Sequence, residues 1–214
     1  MLHVVAAYMV AVAILLLGSS RARADEPAAD GSGFQVPPSP AKAKPQLVFE
    51  VHTGFVAPLN HSALCPEGVG CVMENGGGVG SSVERRWPSG LGLMAGYDLW
   101  FLDTDSVYEL GVQQLFRAGL RYTVPTNYIF HPMFEFGAGL MVYGDTFQAA
   151  TAGVLLQPLV GVEAELTESV GLRCGLGVRV FSHQAFRTQR DDVLRGGRGT
   201  FSESLYLELG LTFL

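Results

Sequence analysis

The sequence predicts an all-β chain, an eight-stranded antiparallel up-and-down transmembrane β-barrel, and three observations carry that prediction. The 214 residues are 48% hydrophobic and only 16% charged, against the quarter or so that a soluble domain usually carries. Yet beyond residue 17 no apolar run approaches the roughly 20 residues that a spanning helix needs. From residue 46 onward apolar residues instead recur at every second position, and the glycines within those stretches fall on the polar face. The aromatic content excludes disorder for most of the chain, and a net charge of −6 argues against a nucleic-acid partner.

Residues 1–24 read as a signal peptide. An apolar core at 4–17 is followed by Ala22-Arg23-Ala24, which places cleavage after Ala24; a retained anchor is the alternative. Cleavage removes Arg21 and Arg23 and leaves 12 basic against 20 acidic residues. No Cys precedes Cys65, so no lipidation is expected. Residues 25–45, rich in Pro and Ala, read as a periplasmic linker that cannot bury enough surface to order itself. The barrel is expected over 46–214.

Eight alternating segments follow. Segment one (47–57) sets Leu47, Phe49, Val51 and Phe55 against Glu50, His52 and Gly54. Segment two (79–87) is the weakest, with Val79, Val83 and Trp87 on its apolar face. Segment three (91–102) opposes Leu93, Tyr97 and Phe101 to Asp98 and Trp100, and segment four (112–124) opposes Phe116, Leu120 and Tyr122 to Arg117 and Arg121. Segment five (132–143) sets Phe134, Phe136 and Leu140 against Glu135 and Tyr143; segment six (152–166) sets Val154, Val160 and Val162 against Glu163 and Glu165. Segment seven (170–182) opposes Leu172, Cys174 and Leu176 to Arg173 and Arg179, and segment eight (203–214) opposes Leu205, Leu207 and Leu209 to Tyr206 and Glu208. A narrow closed barrel has little interior volume, so glycine belongs inside and bulk outside. A β-sandwich would instead bury its large residues and expose its charges.

Short links at 88–90, 125–131 and 167–169 alternate with longer ones at 58–78, 103–111, 144–151 and 183–202. With the amino terminus in the periplasm, the short links are periplasmic, and Trp87, Tyr122, Tyr128 and Phe130 form an aromatic girdle beside them.

The GLRYTVPTN stretch at 119–127, its hairpin partner FEFGAGLMVY at 134–143 and the terminal LYLELGLTFL resemble the small outer-membrane β-barrel family. That group contains the OmpA transmembrane domain and the OmpW-like and opacity-like proteins. The terminal strand looks like the signal read by the barrel-insertion machinery, although it ends Phe213-Leu214 rather than in Phe. The resemblance implies the outer membrane of a Gram-negative bacterium, with contacts to outer-membrane lipid and lipopolysaccharide. It specifies fold far better than activity. A monomer is expected.

Inside the barrel the alternation places Glu50, Glu84, Asp98, Glu135, Glu163, Glu165 and Glu208 opposite Arg86, Arg117, Arg121, Arg173 and Arg179, with His52 among them. Buried charges need partners, and the guanidinium fork pairs carboxylates well. The expected outcome is a salt-bridged plug; a proton or ion path is the competing reading. Cys65 and Cys71 are expected to close a disulfide loop, since two thiols with His61 nearby make no recognised metal set. No cofactor is expected. Arg187, Arg190, Arg195 and Arg198 in the last outward link form a candidate anion-binding loop; a solvated loop is the alternative. Barrel deacylases carry Ser two residues after the catalytic His, but Ala185 stands at that position after His183, so no enzyme is expected. The functional readings are therefore a structural or surface-interaction barrel, then a narrow channel or transporter for small solutes. A lipid-modifying enzyme and a soluble lipocalin-type barrel rank below these.

Overall fold

The computed structural model describes residues 44–60, 62–197 and 201–214. The expected signal peptide, almost all of the linker, His61 and Arg198 lie outside the described residues. The described residues form ten strands: β1 (Gln46–Asn60), β2 (Gly76–Arg86), β3 (Leu91–Leu102), β4 (Gly111–Thr123), β5 (Phe130–Asp145), β6 (Gln148–Glu165), β7 (Val170–His183), β8 (Phe186–Arg187), β9 (Leu194–Arg195) and β10 (Phe201–Phe213). Eight of them close an antiparallel barrel in the order β1-β10-β7-β6-β5-β4-β3-β2, while β8 and β9 form a small hairpin in the last outward link. Closure runs through the β1–β10 ladder from Phe49↔Phe213 to Ala57↔Leu205, so the barrel has no free edge.

Burial alternates along each strand as the residue pattern requires. Leu47, Phe136, Leu140 and Val154 stand out from the wall, whereas Asp98, Arg173, Arg179 and Glu208 are 0% exposed. An exposed wall of Leu, Phe and Val around a charged lumen is the inverse of a soluble protein and is the surface of a transmembrane barrel. Tyr122, Tyr128 and Phe130 are exposed beside the short turns, and Trp87 is half-buried there.

Among the boundaries that differ from expectation, two have a plain physical reason. β2 begins at Gly76, because the run Gly76-Gly77-Gly78 pairs with Leu102, Phe101 and Trp100 of β3; three glycines carry no alternation to read. The third outward link is a tight hairpin rather than a loop over 144–151. β5 continues to Asp145, β6 starts at Gln148, and Thr146 and Phe147 turn with φ of 45° and 67°.

Candidate functional site

Strand parity aims the charged side chains into the lumen, and the register then decides which of them meet. At the short-turn end Arg86 on β2 donates to Glu84 on its own strand (2.8 Å) and to Glu163 on β6 (2.7 and 2.8 Å). Deeper, Arg121 on β4 joins Glu84 (2.8 Å), Glu135 (2.7 Å) and Glu50 (2.9 Å). Arg173 on β7 donates to Glu50 (2.6 Å) and to Glu208. Arg117 on β4 meets Glu135 (2.7 Å) and Asp98 (3.1 Å). His52 lies between Asp98 (2.8 Å from Nε2) and Glu50 (3.3 Å from Nδ1). Furthest from the short turns, Arg179 donates to Gln157 (3.1 Å) and is sandwiched between the rings of Trp100 and Tyr206, 4.1 and 4.2 Å from their centroids. Each cation touches two or more partners. The arrangement is a connected plug, in which removing one partner strands a buried opposite charge at a cost of about 3–5 kcal/mol.

Glu165 is not part of it. It is the last residue of β6 and shares the inward parity of Glu163, but its side chain is 48% exposed at the rim, 3.6 Å from His131. Parity sets the face and not the depth, and among the described residues the ion pair found for Glu165 is with His131 rather than with a guanidinium.

The outward mouth is closed by a different material. Leu64, Val72 and Met73 from the first outward link, Val107 and Tyr108 from the second, and Phe186 on β8 pack onto the lumen residues Trp100, Leu102, Tyr143, Leu155, Phe181 and Tyr206. Tyr143 donates its hydroxyl to the Val72 carbonyl, anchoring the first link inside the barrel. Cys65 and Cys71 are joined as a disulfide, with Cα atoms 4.3 Å apart, and Cys71 N–H donates to Asp105 (3.1 Å). Burial pushes the Tyr108 hydroxyl up to about 12, so it stays neutral within this roof.

Arg195 holds that roof together. It is 0% exposed and donates to the carbonyls of Leu64 and Gly70 (2.8 Å each) and to Thr188 (3.1 Å), and it pairs with Asp191. Gly196 N–H adds a bond to Ala63 O (2.8 Å). The expectation that Arg195 offers its charge to an external anion is therefore corrected: its donors are turned inward and taken. Arg187 is exposed and pairs with Asp192 at 3.2 Å, and Arg190 is exposed.

Several participants lie outside the expected charge set. Gln157, Tyr206 and Trp100 share the inward parity of Arg179, which is the signal that could have placed them beside it. Ser202 on β10 bonds His183 across the β7–β10 ladder (3.0 Å), a pair that needs the register to find. Ser202 is 1% exposed, and among the described residues nothing hydrogen-bonds His183 Nδ1.

No family model and no curated protein matches the chain. Solved structures do. The barrel is similar to Neisserial surface protein A, NspA, with a TM-score of 0.56 and 14% identity over 78% of this chain and 96% of that one. It is similar also to the outer membrane protein OprG from Pseudomonas aeruginosa, with a TM-score of 0.51 and 10% identity over 78% and 94% of the two chains. The protein thus has the fold of the small eight-stranded outer-membrane β-barrels.

Proposed function

We propose that the protein is a monomeric, non-enzymatic barrel of the Gram-negative outer membrane, exported by cleavage after Ala24, whose outward links act as an interaction surface. The observation that carries this reading is the double closure of the lumen, ion-paired below and apolar above. With the interior committed to stability, the surface left for a partner is the rigid set of outward links joined by Arg195 and the disulfide. Lipopolysaccharide phosphates are the expected ligand of the exposed Arg187 and Arg190, together with Arg198.

Planar-bilayer recording tests the closed lumen: the wild-type barrel is expected to give no reproducible conductance steps. Regular ohmic steps would overturn the reading in favour of a narrow channel. Replacing Arg187, Arg190 and Arg198 with Gln is expected to weaken lipopolysaccharide binding, and unchanged binding would remove that ligand.

A further inference from the structure

Within the plug, six carboxylates face five guanidiniums, so a neutral His52 leaves one negative charge unmatched. The atoms left over lie together. Glu50 gives Oε2 to Arg121, Arg173 and the Ser82 hydroxyl, and leaves Oε1 without a hydrogen bond. Glu208 gives Oε1 to Arg173 and leaves Oε2 free of hydrogen bonds. His52 Nδ1 is the third such atom, 3.3 Å from Glu50 Oε1. One ligand atom from each of these three residues lies within 4.8 Å of the others, and the residues are 1%, 2% and 0% exposed.

The surroundings orient these atoms. Asp98 Oδ1 lies 2.8 Å from His52 Nε2, and the tautomer that donates from Nε2 to Asp98 presents Nδ1 as a lone pair toward Glu50 Oε1. A carboxylate behind a histidine, and donors behind each ligating carboxylate, is the outer shell that metal sites use. Gly210 keeps the space clear: a Cβ there would stand 3.0 Å from Glu50 Oε1 and 3.1 Å from His52 Cβ. Arg117 lies 3.2 Å from His52 Nε2 and 3.8 Å from Glu208 Oε2, with its charge directed to Asp98 and Glu135.

We propose that Glu50, His52 and Glu208 bind one divalent transition-metal ion of the zinc class, with water as the fourth ligand. One imidazole and two carboxylates suit zinc better than calcium or magnesium, which take oxygen alone. Two positive charges meet one unmatched negative charge, and a zinc-bound water that has lost its proton closes the count. The rival for these atoms is a proton: an imidazolium donating to both Glu50 and Asp98 would close it equally.

Because the lumen is closed at both ends, the ion is taken up as the barrel folds and is then retained. The test refolds the full chain into detergent with Zn²⁺ or Co²⁺, strips loose metal with a chelator, and measures bound metal by mass spectrometry. About one equivalent per chain is expected to remain, with a visible Co²⁺ absorption band. His52→Gln is expected to lose it, and Asp98→Asn to weaken it about 10–100-fold, with folding of each variant checked by heat-modified gel mobility. Retention unchanged in His52→Gln would overturn the proposal, since the metal would then sit elsewhere. Should the variants not fold, wild type decides: ¹⁵N spectra showing both His52 nitrogens protonated after refolding with zinc would overturn it.

Discussion

Replacing Arg195 with Met should open the roof while leaving the barrel intact. The side chain keeps its apolar stem but loses the bonds to Leu64 O and Gly70 O, both 2.8 Å. A hydrogen bond to a charged donor contributes about 1.5–3 kcal/mol, so the two carbonyls alone give about 3–6 kcal/mol. Its ion pair with Asp191, 26% exposed, adds little after solvent screening. At a factor of ten per 1.4 kcal/mol, the opening constant should rise roughly 10²- to 10⁴-fold. Cys71 is 5% exposed and Cys65 is partly buried, so a bulky phosphine reduces the Cys65–Cys71 bond faster once the links open, and the change in reduction rate reports that opening. Heat-modified mobility should not change, because Arg195 joins no barrel ladder. A reduction rate within about threefold of wild type would refute the assignment of Arg195 as the tie. Acid supplies a second handle. Desolvation raises the Asp191 carboxyl, but bonds from Thr188 and Val193 and the charge of Arg195 outweigh it and hold it below its ordinary value. A carboxyl lowered in the folded state stabilises above its unfolded value and loses that contribution as pH falls through the lowered one. Reduction should therefore accelerate in acid, and Asp191→Asn should flatten that dependence.

Arg121→Met removes the cation shared by Glu50, Glu84 and Glu135, and should lower stability by about 3–5 kcal/mol in a urea refolding titration. A wild-type midpoint would refute the shared plug. Gly139→Ala should cost about 1–3 kcal/mol, because its Cβ would run into the Phe116 carbonyl and lie 2.9 Å from the Arg117 Cα. Gly137→Ala, whose nearest neighbour is 3.7 Å away, should fall within about 0.5 kcal/mol of wild type. Equal losses at the two positions would contradict this account of the wall.

The wall and the inner charge set were legible because both depend on a period of two. Phe116, Leu120 and Tyr122 against Arg117 and Arg121 leave one choice of face for β4, and the same holds for β7. Where contrast is absent the reading drifts: Gly76–Gly78 offers no pattern, and the alanines near 149–152 disguise the continuation of β6. Glu165 exposes a second limit, because alternation is blind to distance along the barrel axis. The roof was illegible for a third reason. Arg195 meets Leu64 across 131 positions of sequence, through links without periodicity, so nothing local distinguishes it from the exposed Arg187.

The plug also answers why an apolar membrane protein carries charge in its centre when apolar packing there would often be equally stable. A slip of one residue in β4 would turn Arg117 and Arg121 toward lipid, at about 2–4 kcal/mol each near the midplane. It would also take from Glu135, Asp98 and Glu50 the donors that β4 supplies. The same slip in β7 would expose Arg173 and Arg179 and drive Leu172 and Leu176 into a filled lumen. An all-aliphatic lumen would make the two faces of each strand nearly interchangeable and would remove that penalty. The ion pairs thus enforce register in the wall. The outward links have no lipid face to mistake, and there a disulfide and one buried arginine suffice.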